Sequence, residues 1–481
     1  MILQDEKLKV AHVSWRAGFG TDVAVWETWK KEKFGKVIQK VLQGAGKDMV
    51  EISVPQSQEM EKQPVMNPRQ MSKDQRKELQ KINREGIRDL NTSWLDTMAA
   101  TSHPLQEKMS LFWHGHFACR INNVRYNQQL LSVIRAHALG NFGDLLSQVS
   151  KSPAMLQFLN NQQNRKQHPN ENFAREVMEL FTMGRGHYTE DDVKEGARAF
   201  TGWGYDRQGQ FRFRPFLHDD GMKTFLGRQG NFNGDDVLKI LLEQKATAYH
   251  ITEKIYRYFV NDQPDENTIR PLAEKFYQSN YHIAGLMENI FRSDWFYDSK
   301  NVGNHIKSPV ELLVGMHRAI PVQYQNPDVQ ILFQRILDQV LFYPPNVAGW
   351  PGGRSWIDSS TLLFRMRLPQ IVYYSEAFST RPKDMPDELT PSNMQGEMSD
   401  QFVRRFARRI KATPQWDEYV NSYKDIPDAQ LPEAVADRLL VNLPGRANLD
   451  ILQKNITSST REDRLKMLSL AVMSMPEYQL C

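Results

Sequence analysis

One helical stretch, residues 168–190, constrains the fold of this 481-residue sequence more than any other feature. Asn172, Arg175, Glu176 and Glu179 are three or four residues apart, so at 3.6 residues per turn they stack along one side of a helix. The positions between them are apolar: Phe173, Ala174, Val177, Met178, Leu180 and Phe181. A helix with so wide an apolar arc packs against protein over most of its circumference. Its thin polar stripe therefore either faces a narrow strip of water or lines a buried polar site.

Apolar residues recur every three or four positions through much of the remaining chain, and this spacing predicts further helices. At one place apolar residues stand at every second position instead. Phe211 and Phe213 follow the turn residues 206–209, a pattern typical of a β-hairpin. The predicted fold class is mainly α: a large multi-helix single domain with one short β-hairpin near residues 205–216.

Changes in composition divide the chain. Pro, Gln, Met, Lys and Glu are frequent over 44–74, and prolines stand in the polar stretch 380–400, so neither segment has the pattern of regular structure. We expect a helical N-terminal segment over 1–43, an irregular excursion over 44–74, a helical core carrying the polar motifs over 75–379, a linker over 380–400, and C-terminal helices packed on the core over 401–481.

Charge and composition exclude several classes of protein. Lys plus Arg number 61 against 57 Asp plus Glu, and no basic run has the length of a binding tail, so we expect no nucleic-acid partner. No apolar run reaches the roughly 18 residues that a membrane span needs. Two cysteines, Cys119 and Cys481, are too few for a disulfide framework or a cysteine-based zinc cluster.

Two histidines flank a glycine in the predicted helix over 105–120, where the sequence reads Trp113-His-Gly-His-Phe117. Residues two apart on a helix diverge by about 200°, so His114 and His116 do not both face one metal ion. Either one of them enters a polar site, or both are core histidines whose hydrogen bonds are satisfied.

Two further clusters of polar residues lie on either side of the central helix. Amides run from Asn160 to Asn164 just before it, where they either form turns or place side chains at the start of the polar stripe. His218, Asp219 and Lys223 crowd into a glycine-containing loop after it.

An arginine and an aromatic loop complete the candidate residues. Arg16 precedes a break at Gly18 and Gly20, so its guanidinium either reaches back into the fold or stays on the surface beside a helix end. The stretch 341–356 is too rich in Pro and Gly to be helical. Its Asn346, Trp350 and Trp356 either line a pocket or pack into an Ω-type plug.

Eight motifs occur in a fixed order along the chain. They are Arg16-Ala-Gly-Phe-Gly20, Phe112-Trp-His-Gly-His-Phe117, Arg135-Ala-His-Ala-Leu-Gly-Asn-Phe142, Asn170-Glu-Asn-Phe-Ala-Arg-Glu176 with Glu179-Leu-Phe-Thr-Met-Gly184, Ala199-Phe-Thr-Gly-Trp203, His218-Asp-Asp-Gly-Met-Lys-Thr-Phe-Leu-Gly227, Lys307-Ser-Pro309 and Pro345-Asn-Val-Ala-Gly-Trp-Pro351. In this order they resemble the signature of the bacterial domain-of-unknown-function 1800 family. The motifs are specific for membership, and the family's name records no activity.

The resemblance carries two expectations about cellular context. Members of the family are typically bacterial and often exported, so it implies a periplasmic or secreted protein, although no signal stands at the start of this sequence. It also implies a partner by genomic association alone, a protein resembling the alkaline phosphatase and sulfatase superfamily that is encoded nearby.

The first functional hypothesis is a hydrolase acting on a phosphate ester, a sulfate ester or a glycan. Glutamate would act as general base, histidine as acid or ligand, and Arg or Lys as an anion clamp, with a divalent metal ion as the cofactor. The predicted catalytic residues are Glu176, Glu179, Arg175, Asn172, His218, Asp219 and Lys223. The predicted substrate-binding residues are Arg16, Trp113, His137, Asn160, Asn164, Asn346 and Trp350. The predicted metal ligands are His114 and His116.

The second hypothesis is a non-catalytic binding or scaffold protein that recognises a glycan or a partner protein. In it the same polar residues form a buried network that locks helix ends together, and the loop around Trp350 carries the recognition surface. No known catalytic motif decides between the hypotheses, because the sequence has no His-Glu-x-x-His, P-loop or Gly-x-Ser-x-Gly. A solvent-connected cavity lined by Glu176, Glu179, His116 and His218 would favour the hydrolase, and full mutual pairing without a cavity would favour the scaffold.

Overall fold

The computed structural model describes residues 3–43, 49–62, 71–374, 410–441, 452, 456 and 460–481, with backbone alone at 59–62. Helices dominate these ranges, and the strands in them form two-stranded antiparallel sheets. The mainly α fold class predicted from the sequence is therefore confirmed.

Most helices of the first half of the chain are short and separated by tight connections. They are α1 (Glu6–Arg16), α2 (Val23–Trp29), α3 (Phe34–Leu42), α4 (Pro55–Lys62), α5 (Lys73–Ala100), α6 (Pro104–His116), α7 (Val124–His137), α8 (Phe142–Ser150), α9 (Pro153–Phe158), α10 (Glu171–Glu176) and α11 (Glu190–Ala199). The longest of these helices is α5, with 28 residues. Its buried positions include Ile87, Leu90, Trp94 and Met98, whose spacing of three and four residues builds one apolar face.

The second half continues in the same way. Its helices are α12 (Gly234–Leu242), α13 (Lys245–Phe259), α14 (Glu266–Gln278), α15 (Ile283–Phe291), α16 (Pro309–Ala319), α17 (Asp328–Ile336), α18 (Ser359–Tyr374), α19 (Trp416–Ser422), α20 (Leu431–Leu439) and α21 (Arg461–Met473). Helix α20 packs against α1 and α21, and α19 packs against α2. The C-terminal helices thus contact the N-terminal helices directly.

Short strands pair beside the helices. They are β1 (Trp203–Tyr205), β2 (Phe211–Phe213), β3 (Lys223–Phe225), β4 (Arg228–Gly230), β5 (Val322–Tyr324) and β6 (Ala412–Pro414). The predicted hairpin is β1 paired with β2, in which Trp203 lies opposite Phe213 and Tyr205 opposite Phe211. The other two pairs, β3 with β4 and β5 with β6, were not predicted from the sequence.

The central helix is shorter than its periodicity predicted. Helix α10 ends at Glu176 and continues as a π-helical turn over Val177–Thr182. In this turn Met183 N donates to Met178 O, five residues back, at 3.0 Å. Carbonyls in the last turn of a helix have no partner within the helix, so those of residues 180 and 181 remain available to other side chains.

Capping boxes fix the starts of two helices that matter for the polar groups. Thr189 and Asp192 form one at α11. Ser308 and Glu311 form another at α16, with Pro309 in the first turn. The second box fixes the position of the Glu311 carboxylate in the interior.

The last residues pair with the segment that leads into α16. His305 N donates to Cys481 O at 3.2 Å, Cys481 N donates to His305 O at 2.9 Å, and Lys307 N donates to Gln479 O at 2.9 Å. The buried Lys307 ammonium lies 3.3 Å from the ring centre of Trp15 in α1. These contacts bring both ends of the described chain to the start of α16.

Two segments were expected to lack regular structure, 44–74 and 380–400. The stretch 44–74 contains α4 and the first residues of α5. The linker expected over 380–400 lies outside the described residues. Among the described helices, none has both the length and the apolar composition needed to cross a membrane.

Candidate functional site

A solvent-connected cleft of about 400 Å³ opens beside the start of α16. Its walls come from α6, α13, the segment before α16 and the glycine-rich loop 348–356. Aromatic rings and charged groups both line it, among them Phe112, Lys254, Asp262, His305, Trp350 and Trp356. Concave sites of this size with a few polar groups are where proteins bind small ligands.

A chain of charged groups runs from the mouth of the cleft into the core. Asp262, whose side chain is 42% exposed, has Oδ1 3.7 Å from His305 Nδ1. His305 Nε2 lies 3.5 Å from Glu311 Oε2, and Glu311 is fully buried. Glu311 Oε1 in turn pairs with Lys108 Nζ, also in the core. A ligand hydroxyl that donates to Asp262 would thus contact one end of a connected polar chain.

The buried Glu311 carboxylate is held ionised by its partners. Burial raises the pKa of Glu311, but the Lys108 ammonium and His305 outweigh that effect and hold the pKa well below its usual range. Glu311 Oε2 also accepts a hydrogen bond of 2.6 Å from Ser308 N. Both carboxylate oxygens are therefore occupied by the protein itself.

Lys108 and Arg16 connect this chain to the end of α1. Lys108 Nζ donates to Trp15 O at 3.1 Å and to Gly18 O at 2.8 Å. The Arg16 guanidinium reaches back into the fold, where its Nη2 donates to Val260 O at 2.9 Å. Carbonyls released at the break after α1 thus become acceptors for buried cations.

The exposed carboxylate at the mouth of the cleft is also held ionised. The nearby His305 imidazole lowers the pKa of Asp262, burial opposes this, and the charge of Arg16 lowers it further. Asp262 is therefore a permanent acceptor at neutral pH.

A lysine and a histidine form the polar group on another wall. Lys254 Nζ lies 3.3 Å from His116 Nδ1 and donates to Leu180 O at 3.2 Å. His116 Nε2 lies 3.3 Å from Phe181 O. Because an ammonium only donates, His116 accepts at Nδ1 and donates from Nε2. The carbonyls released by the π-helical turn after α10 thus hold both side chains.

The glycine-rich loop comes close to α6 and closes the cleft. A Cβ atom at Gly349 would lie 2.3 Å from Gly115 O, so the loop approaches the helix more closely than any other residue would allow. Gly115 itself lines the cleft, and a Cβ built on it would meet no atom within 4 Å. The absence of a side chain at residue 115 therefore leaves part of the cleft open.

The polar stripe of the central helix lies away from this cleft. Arg175 pairs with Glu190 at 2.7 Å and with Glu171 at 3.2 Å. Glu179 accepts from Tyr188 Oη at 2.6 Å and pairs with the exposed Arg185. The other two members of the stripe are Asn172, whose amide donates to Leu159 O, and the half-buried Glu176.

The clusters on either side of that helix form local networks. His218 Nδ1 lies 2.9 Å from Thr201 O, and Asp219 pairs with Arg198 at 2.7 Å. Lys223 Nζ donates to Gly221 O at 3.0 Å. Asn164 Nδ2 donates to Ala197 O at 2.8 Å, and Asn160 is exposed with a left-handed backbone. Of the catalytic and amide residues predicted from the sequence, none lines the cleft described above.

The remaining predicted residues are divided between the core, the surface and the cleft. Trp113 is buried and donates to Ala138 O, and His114 accepts from Phe342 N at 3.1 Å. His137 is half-buried, and Asn346 is exposed in its own turn. His116 and Trp350 line the cleft, and Arg16 lies behind it.

Five residues that line the cleft, and Lys108 behind it, were not singled out in the sequence. They are Lys108, Lys254, Tyr258, Asp262, His305 and Glu311. One signal pointed to them, the Lys307-Ser-Pro309 motif, whose capping box places Glu311 in the core. His305 and Asp262 are 43 residues apart in the numbering and share no periodic pattern, so no spacing rule identifies them.

The predicted metal ligands, His114 and His116, do not share one site. Within the described ranges, no group of three or more His, Cys, Asp and Glu side chains has an arrangement that would hold a metal ion. His114 and His116 face different surroundings, because His114 accepts from Phe342 N while His116 contacts Lys254.

Fold and cleft together define a mainly helical protein with a solvent-connected polar cleft next to buried ion pairs. The profile of the family described as "Protein of unknown function (DUF1800)" matches residues 12–480, and the chain belongs to that family. The resemblance drawn from the eight motifs is thereby confirmed. No curated protein and no solved structure matches the chain.

Proposed function

We propose that the cleft binds a carbohydrate and that the protein is a glycan-binding protein. The observation that carries this proposal is the mixed lining: Trp350, Trp356 and Phe112 share one cleft with Asp262 and His305. A sugar ring offers a C–H face that packs on aromatic rings and hydroxyl groups that donate to carboxylates. Both kinds of partner are present here, and the volume of about 400 Å³ is large enough for a short saccharide.

The arrangement of the carboxylates favours binding over glycoside hydrolysis. Glycosidases place two carboxyl groups on opposite sides of the scissile bond, whereas the His305 ring lies between Asp262 and Glu311. A general base works best with a pKa near the working pH, and the pKa of Asp262 is lowered. The hydrolase hypothesis built on Glu176 and Glu179 stays a prediction.

The test is a calorimetric titration of the full chain with a panel of neutral and acidic oligosaccharides. Gly115→Phe places a ring in the open part of the cleft, while Gly115→Ala adds a single methyl group at the same position. We expect Gly115→Phe to weaken saccharide binding by at least about tenfold, or 1.4 kcal/mol. Gly115→Ala is expected to weaken it less. Circular dichroism checks that both variants fold.

Two results would overturn the proposal. One is that no oligosaccharide of the panel binds the wild-type chain. The other is that a bound saccharide is held equally well by Gly115→Phe, which would place it elsewhere on the surface. Release of reducing ends during the incubation would instead support the hydrolase hypothesis, and Asp262→Asn would then identify whether this cleft carries the reaction.

A further inference from the structure

Lys254 is a cation at the wall of the cleft with a fixed position and an unused donor. An ammonium has three N–H groups. His116 Nδ1 at 3.3 Å and Leu180 O at 3.2 Å take two of them. Within the described residues no third partner is present, and Lys254 lines the cleft. One N–H is therefore available to a ligand.

Lys254 also has no counter-ion of its own in the described part of the chain. The acidic group that raises the pKa of Lys254 is its neighbour Glu253, and burial outweighs it and lowers the pKa to about 8. Two other charged pairs lie along the cleft, Arg257 with Glu253 and Glu311 with Lys108, and Asp262 lies 3.7 Å from His305. Among the described residues that line the cleft, Lys254 is a cation without an ion pair of its own.

The two imidazoles beside Lys254 supply no second positive charge. Burial lowers the pKa of His116 well below its usual value, and the charges of Lys254 and His250 lower it further. Burial likewise lowers the pKa of His250 to about 4. Both imidazoles are neutral at pH 7, so this wall presents a single ammonium held by neutral acceptors.

A half-buried cation without a counter-ion is costly unless something compensates it. The cleft gives an anionic group access to Lys254, and a charge-assisted hydrogen bond to a carboxylate or sulfate would supply that compensation. The aromatic rings and Asp262 line the same cleft and are available to the uncharged part of the ligand.

We propose that Lys254, held by His116 and the Leu180 carbonyl, receives the anionic group of an acidic saccharide, either the carboxylate of a uronate or a sulfate ester. This inference rests on the proposed carbohydrate binding and names its ligand class. Asp262 only accepts, so it serves the hydroxyl groups of such a ligand while the anionic group lies at Lys254.

The experiment compares matched neutral and charged ligands on the full chain. The probes are tetramers of glucose, galactose and mannose, the tetramers of the corresponding uronates, the same neutral tetramers carrying sulfate esters, and sodium sulfate alone. Calorimetry gives each dissociation constant. We expect at least one charged tetramer to bind about tenfold or more tightly than its neutral counterpart, which is the size of one charge-assisted hydrogen bond.

Variants of two lysines on α13 test whether Lys254 causes the preference for charged tetramers. Lys254→Met is expected to reduce the charged-to-neutral affinity ratio to about one, because it removes the ammonium and keeps the length of the side chain. Lys245→Met is the matched control, because Lys245 pairs with Glu274 on the exposed side of the helix. It is expected to leave the ratio at the wild-type value. If Lys254→Met does not fold, the wild type is titrated with added NaCl instead. The salt should screen the ammonium and reduce the charged-to-neutral affinity ratio.

Each outcome decides one claim. Neutral and charged tetramers binding equally would overturn the inference and leave carbohydrate binding intact. No tetramer of any kind binding would overturn the proposed function, and the inference with it. Sodium sulfate binding as tightly as the sulfated tetramers would identify a site for a free inorganic anion and overturn the saccharide assignment. An affinity ratio that persists in Lys254→Met, or that NaCl leaves unchanged, would also overturn the role of Lys254.

Discussion

Lys108 and Glu311 place opposite charges in the interior, where neither has water to solvate it. Their side chains are 2% and 0% exposed. The carbonyls of Trp15 and Gly18 complete the coordination of the ammonium, and Ser308 N completes that of the carboxylate. Removing one partner of such a pair leaves an uncompensated charge, whereas removing both leaves mainly a packing problem.

The first stability prediction follows from that asymmetry. Lys108→Met is expected to lower the free energy of unfolding by about 3–5 kcal/mol, because Glu311 then stays buried without its cation. The double variant Lys108→Met with Glu311→Leu is expected to lose less than the sum of the two single variants. Urea denaturation of the four proteins gives the coupling energy. Purely additive losses would contradict the pairing.

Acid stability tests the same carboxylate. The folded pKa of Glu311 lies below its ordinary value of 4.5, so ionised Glu311 stabilises the fold above about pH 4.5, and this contribution is lost as pH falls through the folded pKa. Glu311→Gln removes the contribution at every pH. We expect the free energy of unfolding of the wild type to fall more steeply below pH 4.5 than that of Glu311→Gln. Parallel profiles from urea denaturation at a series of pH values would rule out this role.

At the scale of elements, the loop 348–356 is positioned by its glycines. Gly349 and Gly352 both have positive φ, +81° and +74°. A Cβ on Gly349 would also collide with Gly115 O, whereas a Cβ on Gly352 would meet no atom within 4 Å. The two positions therefore separate backbone strain from steric contact with α6.

The matched variants are Gly349→Ala and Gly352→Ala. Gly352→Ala is expected to cost about 1–3 kcal/mol, because its backbone, at φ +74° and ψ −176°, lies in a region that alanine rarely adopts. Gly349→Ala also has a positive φ and must in addition move the loop away from α6, so a larger loss and weaker saccharide binding are expected. Thermal unfolding and calorimetry measure both effects. Equal losses from the two variants would argue against close contact between loop and helix.

Helical periodicity predicted the helices well where a helix buries one face and exposes the other. Helix α5 has its apolar residues at Ile87, Leu90, Trp94 and Met98, and these positions are buried as their spacing requires. The π-helical turn over Val177–Thr182 could not be predicted, because it depends on a change of hydrogen-bond partner that leaves the apolar pattern intact. The backbone carbonyls that the turn leaves free of helical hydrogen bonds cannot be recognised from the residue types in the sequence.

At the scale of the whole molecule, the site escaped prediction because its residues meet only after the chain has folded. Lys108, Lys254, Asp262, His305 and Glu311 come from three regions of the sequence, and each has an ordinary local explanation as a surface charge or a cap. The polar stripe of the central helix was conspicuous because its members are neighbours in sequence. Sequence reading thus detects local clusters of chemistry more readily than clusters that tertiary packing assembles.

The pairing of 305–307 with 479–481 has a consequence for how this site comes into existence during synthesis. Lys307 Nζ donates to Tyr478 O, 171 residues further along the chain. The backbone N–H of Lys307 also donates to Gln479 O. The segment before α16 therefore has its full set of hydrogen bonds only when residues 478–481 are present. Loop closure over such a distance is slow compared with helix formation. Helices α1 to α18 can form as the ribosome extends the chain, but the lining around His305 and Glu311 is completed after residue 481 has emerged.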